Sequence, residues 1–209
     1  MEHNNLVLIA GGTASGKTFI AKKVAENIAR TGKEVSFLSI DNYYKPLSEF
    51  GGLDNNDVNW DHPDTILWTE LKSDIAKLKD GQTITRNVYN FNISDYTDEV
   101  VEIKPSEYII LEGLFALYDE DIVGMAEAKF FVQADSDVRL IRRIRRDESD
   151  RYSEFNIQPF IDRWEASIKP MHDKYIAPQQ HRASIVFKNN IKDNEGDSDA
   201  INMITNLLV

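Results

Sequence analysis

Residues 6–18 read LVLIAGGTASGKT, and this stretch decides the fold. The apolar run 6–10 predicts a buried strand, because short continuous apolar runs suit strands that are covered on both faces. Residues 17–30 then predict a helix, with Ile20, Val24 and Ile28 at helical spacing and Gly32 just past its end. A buried strand followed by a glycine-rich turn and a helix is the start of an α/β unit.

The turn between this strand and this helix fits the pattern G-x-x-x-x-G-K-S/T of a phosphate-binding loop. Glycines let successive backbone amides point inward at phosphate oxygens, and the helix amino terminus adds partial positive charge. Lys17 would reach the terminal phosphates of a nucleotide, and the Thr18 hydroxyl would bind Mg²⁺. The predicted nucleotide-binding residues are Gly11, Gly12, Thr13, Ala14, Ser15, Gly16, Lys17 and Thr18.

Predicted strands and helices alternate along the rest of the chain. Further strands are expected at residues 35–40, 108–111, 129–133 and 184–188. Further helices are expected at residues 66–79, 138–147, 160–168 and 200–208, and residues 46–64 form a loop. Alternating polar and apolar residues at 83–89 and 99–103 predict a peripheral hairpin. The order predicts a parallel sheet with helices on both faces, a three-layer α/β sandwich, in a single domain over residues 1–209.

Composition excludes several classes of function. The chain has 209 residues with 24 basic and 35 acidic side chains, a net charge of −11, which argues against a nucleic-acid partner. It contains no cysteine, so disulfides and thiol catalysis are excluded. No apolar run approaches the ~18 residues of a membrane span, and the polar, acidic start does not resemble a signal peptide. A cytoplasmic protein without a membrane partner is expected.

Nucleotide binding alone leaves three classes open: a kinase, a GTP-operated switch and an ATP-driven machine. An N-K-x-D tetrad for reading guanine is absent from the sequence. Residues 121–124 fit D-x-x-G, but they lie in a predicted acidic loop and not directly after a buried strand. A small kinase is favoured. In that case Asp41, at the carboxyl end of the second strand, can accept the proton of an attacking hydroxyl.

Further motifs agree with a kinase. Residues 39–44, 60–64 and 89–91 read SIDNYY, WDHPD and YNF, and residues 111–113 read LEG. Together with the arginine-rich segment 139–151, they resemble the uridine kinase family, within the phosphoribulokinase/uridine kinase group. The resemblance runs from about residue 6 to residue 192. It implies a P-loop nucleoside-kinase fold with a hairpin flap at about 83–103 and an arginine-rich lid at about 139–155.

The resemblance also implies roles for individual residues. Asp41 would be the general base and, with Thr18 and Glu112, would hold Mg²⁺. The nucleoside pocket would consist of Tyr44, Trp60, Asp61, Tyr89, Phe91 and Arg143. A carboxylate such as Asp61 suits two vicinal ribose hydroxyls, because it accepts two hydrogen bonds. His62 is expected to order its loop. The family uses Mg²⁺ with ATP or GTP as phosphate donor, phosphorylates a nucleoside, and commonly forms homo-oligomers, tetramers or dimers.

The arginines form a helical pattern of their own. Arg139, Arg142, Arg143 and Arg146 recur at i, i+3, i+4 and i+7 and therefore share one helix face. A solvated face is one interpretation. A lid over phosphates is the other, because the planar guanidinium grips phosphate oxygens in pairs. By resemblance, Arg143 lies near the ribose, and Arg146 and Arg151 contact phosphates and serve catalysis.

The sequence departs from the family where the base is read. Ser94 stands where uridine and cytidine kinases have a histidine at the pyrimidine edge, and residues 151–153 read RYS in place of Arg-Gly-Arg. Arg163 replaces a glutamine associated with the base. The expected reaction is transfer of the γ-phosphate to the 5′-hydroxyl of a pyrimidine nucleoside. Two alternatives stay open: another sugar-like alcohol or phosphorylated sugar as acceptor, and a nucleotide sensor without catalysis.

Overall fold

Strands form two sheets in the computed structural model of the chain, which describes residues 4–151, 155–190 and 195–209. The strands are β1 Asn5–Gly11, β2 Val35–Ser39, β3 Ile84–Asn90, β4 Asp95–Ile103, β5 Tyr108–Gly113, β6 Ala128–Gln133 and β7 Ile185–Lys188. Five of them form the main sheet in the order β2-β5-β1-β6-β7, and every neighbouring pair in it is parallel. Strands β3 and β4 form a separate antiparallel hairpin.

Helices connect the strands of the main sheet. They are α1 Lys17–Arg30, α2 Trp68–Lys79, α3 Glu120–Met125, α4 Ser136–Arg146, α5 Ile157–Arg163, α6 Lys169–Met171 and α7 Glu195–Leu208. Single π turns follow α4 at Asp147–Arg151, α5 at Trp164–Ile168 and α6 at His172–Ile176. Short 3₁₀ helices occur at Ile40–Tyr43, Leu47–Phe50, Pro63–Thr65 and Ala177–Arg182.

The sheet is buried on both faces. Along β1, Leu6, Leu8 and Ala10 pack into one hydrophobic cluster, and Val7 and Ile9 pack into another on the opposite face. The first cluster contains the buried side chains of α2 and the second those of α1 and α7. This double burial explains why β1 has no polar residue between positions 6 and 10. The predicted parallel sheet between two helical layers is confirmed.

The start of α2 and the region of residues 121–124 differ from the sequence prediction. Helix α2 begins at Trp68 and not at residue 66, because Ile66 forms an isolated antiparallel bridge with Tyr44. The acidic loop predicted around residues 121–124 is the short helix α3, and that prediction was wrong. The Asp119 carboxylate caps α3 by accepting hydrogen bonds from the backbone amides of Asp121 and Ile122 at 3.0 and 3.1 Å. Ile122 anchors this helix, since its side chain is buried.

The helical segment after the lid region is longer than predicted. Residues 160–168 were expected to be helical, and the helical backbone runs from Ile157 to Ile176 through α5, α6 and their π turns. Phe160, Trp164 and Ile168 form a small hydrophobic cluster with α4 residues against it. Among the described residues, no helix is long and apolar enough to cross a membrane.

Candidate active site

The glycine-rich loop between β1 and α1 has a backbone that few residues can adopt. Gly16 has a φ of +93° and Ala14 a φ of +58°, both in the left-handed region. At Gly11 a Cβ atom would lie 2.5 Å from the Val132 carbonyl oxygen, so only glycine allows β6 to approach this closely. The loop therefore curls at the carboxyl end of β1 and leads directly into the amino terminus of α1, which is the arrangement that binds phosphate.

Asn189 fixes this loop from the β7 side. Its side-chain amide donates a hydrogen bond of 2.9 Å to the Ser15 carbonyl oxygen. Its own carbonyl oxygen accepts one of 3.1 Å from Arg142 of α4, and its backbone amide donates to the Gln133 carbonyl oxygen at 2.7 Å. Asn189 is buried, and no motif in the sequence predicts its role.

Glu112 is the centre of a polar cluster next to the loop. The sheet register pairs Glu112 of β5 with Ser39 of β2, so both lie at the carboxyl end of the sheet. Ser39 Oγ donates to Glu112 Oε1 at 2.6 Å, and Thr18 Oγ1 donates to Glu112 Oε2 at 2.8 Å. Lys17 Nζ lies 3.8 Å from the same Oε2. The Glu112 side chain is 1% exposed, so its charge is held by these partners and not by bulk water.

This cluster fits Mg²⁺. Thr18 and Glu112 supply hydroxyl and carboxylate oxygens only 2.8 Å apart, and oxygen ligands are those that Mg²⁺ prefers. The described residues contain no group of three or more His, Cys, Asp or Glu side chains that could hold a metal ion. Mg²⁺ usually keeps several waters and binds through one or two carboxylates plus substrate phosphates. A site with few protein ligands is therefore typical for Mg²⁺.

A cleft opens beside this cluster. It is lined by Thr13, Lys17, Asp41, Tyr44, Asn55, Trp60, Asp61, Phe91, Ser94, Leu114, Arg143, Arg146 and Arg163. Asp41 lies in the 3₁₀ turn that follows β2, and its backbone amide donates to Ser39 Oγ at 3.3 Å. Ser39 therefore connects Asp41 to Glu112. The structure brings Lys17 and Asp41 to the same cleft, as the sequence predicts.

Asp61 lines the cleft as a buried carboxylate. Its residue is 7% exposed, and the described residues give its carboxylate no hydrogen-bond donor. Burial raises the pKa of the Asp61 carboxyl, and the positive charges of Arg143, Arg163 and Arg139 oppose this rise. A buried acceptor that faces a cleft without a donor of its own is a group that a ligand hydroxyl can satisfy.

The Asp61 loop is fixed from outside the cleft. His62 Nε2 lies 2.8 Å from the Tyr175 hydroxyl, and His62 Nδ1 accepts from the Asp64 amide at 3.2 Å. Ser167 Oγ donates to Asn59 Oδ1 at 2.8 Å. His62 thus orders its loop in this structure.

Aromatic side chains form one wall of the cleft. The Tyr44 ring lies 6.1 Å from the Trp60 ring and 5.4 Å from the Phe91 ring, both edge to face. Burial and the nearby carboxylates Asp41 and Asp61 raise the pKa of the Tyr44 hydroxyl. Tyr89 was predicted to belong to the nucleoside pocket, but it does not line the cleft. Its ring packs behind those of Tyr44 and Phe91, at ring distances of 5.7 and 5.1 Å.

The arginines of α4 divide into two groups. Arg143 Nη1 donates to Thr13 Oγ1 at 2.6 Å, and Arg143 Nε donates to the buried Asp147 carboxylate at 2.8 Å. Arg146 donates to the other Asp147 oxygen at 3.3 Å. Arg139 instead is 2% exposed and lies over the Trp164 ring at 5.5 Å. The side chain of Arg151 and residues 152–154 lie outside the described part of the structure.

A family model described as "Phosphoribulokinase / Uridine kinase family" matches residues 6–194. The chain belongs to this family. As a member of the phosphoribulokinase/uridine kinase family, it is a phosphotransferase that uses a nucleotide phosphate donor. The family assignment rests on nearly the whole chain and not on the phosphate-binding loop alone.

Curated relatives agree with the family assignment. A uridine kinase from Halobacterium salinarum is 35% identical over 179 residues, 86% of this chain and 77% of the relative. A uridine kinase from Lactobacillus johnsonii is 30% identical over 201 residues, 96% and 92% of the two chains. A third, from Lactobacillus helveticus, is 31% identical over 209 residues, 100% and 95%.

Solved structures of the same type confirm the fold. A possible uridine kinase from Bacillus stearothermophilus superposes with a TM-score of 0.61 over 90% of both chains, at 17% identity. Phosphoribulokinase from Rhodobacter spheroides superposes with a TM-score of 0.66 over 90% of this chain and 71% of that chain, at 16% identity. The P-loop kinase fold that the family resemblance implies is therefore confirmed.

In this member of the phosphoribulokinase/uridine kinase family, sequence reasoning missed two cleft residues. Asn55 lies in a long polar loop without a recognisable motif, and it reaches the cleft because Trp60 Nε1 donates to its Oδ1 at 2.9 Å. Leu114 follows Glu112 by two positions and lines the same cleft. Ser39 was quoted within a motif but was given no role, although it bonds directly to Glu112.

Proposed function

We propose that this protein is a nucleoside kinase, which transfers the γ-phosphate of Mg²⁺-bound ATP or GTP to the 5′-hydroxyl of a pyrimidine nucleoside. One observation carries the proposal. The cleft holds Lys17 and Asp41 together with the buried Asp61 carboxylate and the rings of Tyr44, Trp60 and Phe91. The curated relatives that match this chain at 30–35% identity are uridine kinases.

The donor triphosphate would bind at the curled loop. The amides of residues 11–18 and Lys17 would hold its β- and γ-phosphates at the amino terminus of α1. Thr18, Glu112 and Asp41 would hold Mg²⁺, which neutralises charge on the transferring phosphate when it is bound. Ser39 would orient the Glu112 carboxylate, since it already donates to Oε1.

The acceptor would bind on the opposite side of the cleft. Asp61 would accept hydrogen bonds from the two ribose hydroxyls, and the aromatic wall would pack against the base. Asp41 would accept the proton of the 5′-hydroxyl while the 5′-oxygen of the nucleoside forms a bond to the γ-phosphorus. The bond between that phosphorus and the β–γ bridging oxygen breaks, and the nucleoside diphosphate leaves with the bonding electrons.

The arginines would neutralise charge on the transferring group. Arg143 and Arg146 line the cleft, and Arg143 also contacts Thr13 of the phosphate-binding loop. Arg151 is proposed as a third member of this lid on the sequence pattern alone. A closed lid would also exclude water, which limits hydrolysis of the donor.

Two other functions are less well supported. A different alcohol acceptor would fit the replacement of a family histidine by Ser94, but Asp61 and the aromatic wall favour a nucleoside. A sensor without catalysis would not need a carboxylate such as Asp41 beside Lys17 in an open cleft. The protein is also proposed to act as one catalytic domain and to assemble as a homo-oligomer, a tetramer or dimer, which light scattering after gel filtration would measure.

The test is release of ADP or GDP with Mg²⁺ and each triphosphate against a set of acceptors. The set contains uridine, cytidine, purine nucleosides, ribose, ribulose 5-phosphate and no acceptor. We expect turnover with a pyrimidine nucleoside and its loss, by at least a hundredfold in kcat, in Asp41→Asn. Turnover only with ribulose 5-phosphate or ribose would show that the acceptor is a sugar and not a nucleoside. If none of the acceptors supports turnover, the proposal is refuted.

A further inference from the structure

The wall of the cleft contains a hydrogen-bonded unit of Asn55, Trp60 and Ser94. Trp60 Nε1 donates to Asn55 Oδ1 at 2.9 Å and to the Asn55 carbonyl oxygen at 3.1 Å. Ser94 Oγ donates to the same Asn55 Oδ1 at 2.6 Å. Trp60 is 8% exposed and Ser94 is 3% exposed, so the two side chains that donate to Asn55 are largely shielded from water.

These contacts fix the orientation of the Asn55 amide. An indole nitrogen is only ever a donor, so the Asn55 atom 2.9 Å from Trp60 Nε1 is the amide oxygen and not the amide nitrogen. A hydroxyl at 2.6 Å from that oxygen must then be the donor as well. Both lone pairs of Oδ1 are occupied, and a flipped amide would leave the Trp60 indole facing another donor.

The remaining functional group is the Asn55 NH₂. The part of the chain that the structure describes gives it no acceptor, and Asn55 lines the cleft. Ser94 does not compete for this role, because its one hydroxyl proton is directed to Asn55 at 2.6 Å, with the Phe91 carbonyl oxygen as a more distant acceptor at 3.4 Å. Its backbone is also fixed, with a φ of +49° and a hydrogen bond of 2.9 Å from the Leu47 amide to its carbonyl oxygen.

Asn55 and Ser94 lie on the acceptor side of the cleft. Asn55 belongs to the loop that carries Asp61, and Ser94 belongs to the turn between β3 and β4. A nucleoside with its 5′-hydroxyl at Asp41 and its ribose at Asp61 would direct its base edge away from the phosphates, toward the part of the cleft that Asn55 lines. Position 4 of a pyrimidine is on that edge, and it is a carbonyl acceptor in uracil and an amino donor in cytosine.

We propose that Asn55 is a specificity-determining residue that favours uracil over cytosine at this site. It presents a fixed donor, which pairs with the 4-carbonyl of uracil and faces another donor in cytosine. Two donors left facing each other in a partly buried site are costly, which is how such sites discriminate. The inference rests on the proposed nucleoside kinase function and adds the residue that reads the base.

The test compares kcat/KM for uridine and cytidine in Asn55→Asp. Aspartate keeps an oxygen for Trp60 and Ser94 and replaces the NH₂ by a second acceptor, which suits the amino group of cytosine. We expect the ratio of kcat/KM for uridine to that for cytidine to fall at least tenfold. Asn56→Asp is the matched control, because it makes the same charge change at an exposed neighbour, and it should leave the ratio within twofold.

Calorimetric Kd values for uridine and cytidine without triphosphate separate binding from catalysis and should change in the same ratio. If Asn55→Asp does not fold by circular dichroism, Asn55→Ala replaces it, and its ratio should move toward one. An unchanged ratio in a folded Asn55 variant would overturn the inference, and so would a wild-type preference for cytidine. Absence of turnover with any nucleoside in the wild-type protein would instead refute the proposed function.

Discussion

Asp147 lies four residues after Arg143, and its buried carboxylate accepts a hydrogen bond of 2.8 Å from Arg143 Nε. The contact holds Arg143 in the orientation in which its Nη1 reaches Thr13. Asp147 therefore positions an arginine of the proposed lid without lining the cleft itself. Its other oxygen accepts from Arg146, so one carboxylate orients two guanidinium groups.

Asp147→Asn should reduce catalysis more than stability. The amide cannot accept from both arginines with two charged oxygens, and hydrogen bonds between charged groups contribute about 1.5–3 kcal/mol. We expect kcat to fall by about ten- to a hundredfold, while KM for the nucleoside changes little. Steady-state kinetics provide the measurement. Glu148→Gln is the control, because Glu148 is exposed and adjacent; equal losses in both variants would contradict the positioning role.

Glu112→Gln should weaken the binding of Mg²⁺. Glutamine keeps the shape and one acceptor for Thr18, but it removes the negative charge that Lys17 and the metal would share. We expect the concentration of Mg²⁺ for half-maximal rate to rise by about 10–100-fold. A Mg²⁺ titration of the initial rate measures this shift.

The matched control for Glu112 is Glu107→Gln, on the approach to the other end of β5. Glu107 pairs with Lys33 at 2.7 Å in a partly exposed ion pair, which contributes little. Its Mg²⁺ titration should match that of the wild-type protein. A normal titration in Glu112→Gln as well would exclude Glu112 from the metal site.

Gly113→Ala should disturb the position of Asp41. A Cβ atom at Gly113 would lie 2.6 Å from the Cβ of Ile40, which is buried and directly precedes Asp41. Overpacking of this kind costs about 1–3 kcal/mol of stability. We expect a lower Tm together with a kcat reduced beyond the loss of folded protein.

Gly124→Ala is the internal comparison, since a Cβ atom there meets nothing within 4 Å. Gly124 lies in α3, where alanine is favoured over glycine by up to about 1 kcal/mol. This variant should melt at the same temperature or higher, with unchanged kinetics. An unaffected Gly113→Ala would mean that Ile40 can shift without moving Asp41.

His172 should make the stability of the protein depend on pH. Burial, with the positive charge of Arg139, lowers the pKa of His172 from 6.5 to about 4. Asp173 opposes this shift and Lys169 adds to it. Between pH 6.5 and 4 the unfolded chain binds a proton that the folded protein excludes, so the free energy of unfolding falls as the pH falls. Above pH 6.5 this contribution is complete.

Urea unfolding at several pH values measures the effect. The lowered pKa of His172 corresponds to a decrease of about 3 kcal/mol in the free energy of unfolding between pH 6.5 and 4. His172→Gln should remove that part of the slope, while His181→Gln, at an exposed position, should keep it. Identical slopes in the wild-type protein and His172→Gln would show that folding does not lower the pKa of His172.

The sequence predicted the parts of the fold that have strong periodicity. Helix α1 was predicted at 17–30 and occupies Lys17–Arg30. The next helix was predicted to begin at Ile66, with Leu67, Leu71, Ile75 and Leu78 on one face, but the backbone of Ile66 bridges to Tyr44. A tertiary contact of this kind leaves no local pattern. Helix α3 is too short for periodicity to indicate it, and its Asp119 cap is a signal easily taken for an acidic loop.

The candidate site was predictable where a motif fixed the backbone. Lys17 and Asp41 were placed by the strands that precede them, because the carboxyl ends of parallel strands meet at one edge. The position of Asn55 was not predictable, because it lies in a polar loop without a motif and is held at the cleft by its contacts with Trp60 and Ser94. Asp147 was given no role from the sequence, because its burial cannot be recognised in a charged run.

Asn189 joins three structural elements through hydrogen bonds. One side chain and its backbone contact the phosphate-binding loop at Ser15, helix α4 at Arg142 and the end of β6 at Gln133. These three elements therefore share a fixed point at the carboxyl edge of the sheet. A displacement of the loop would be transmitted through Asn189 to the helix that carries the arginines.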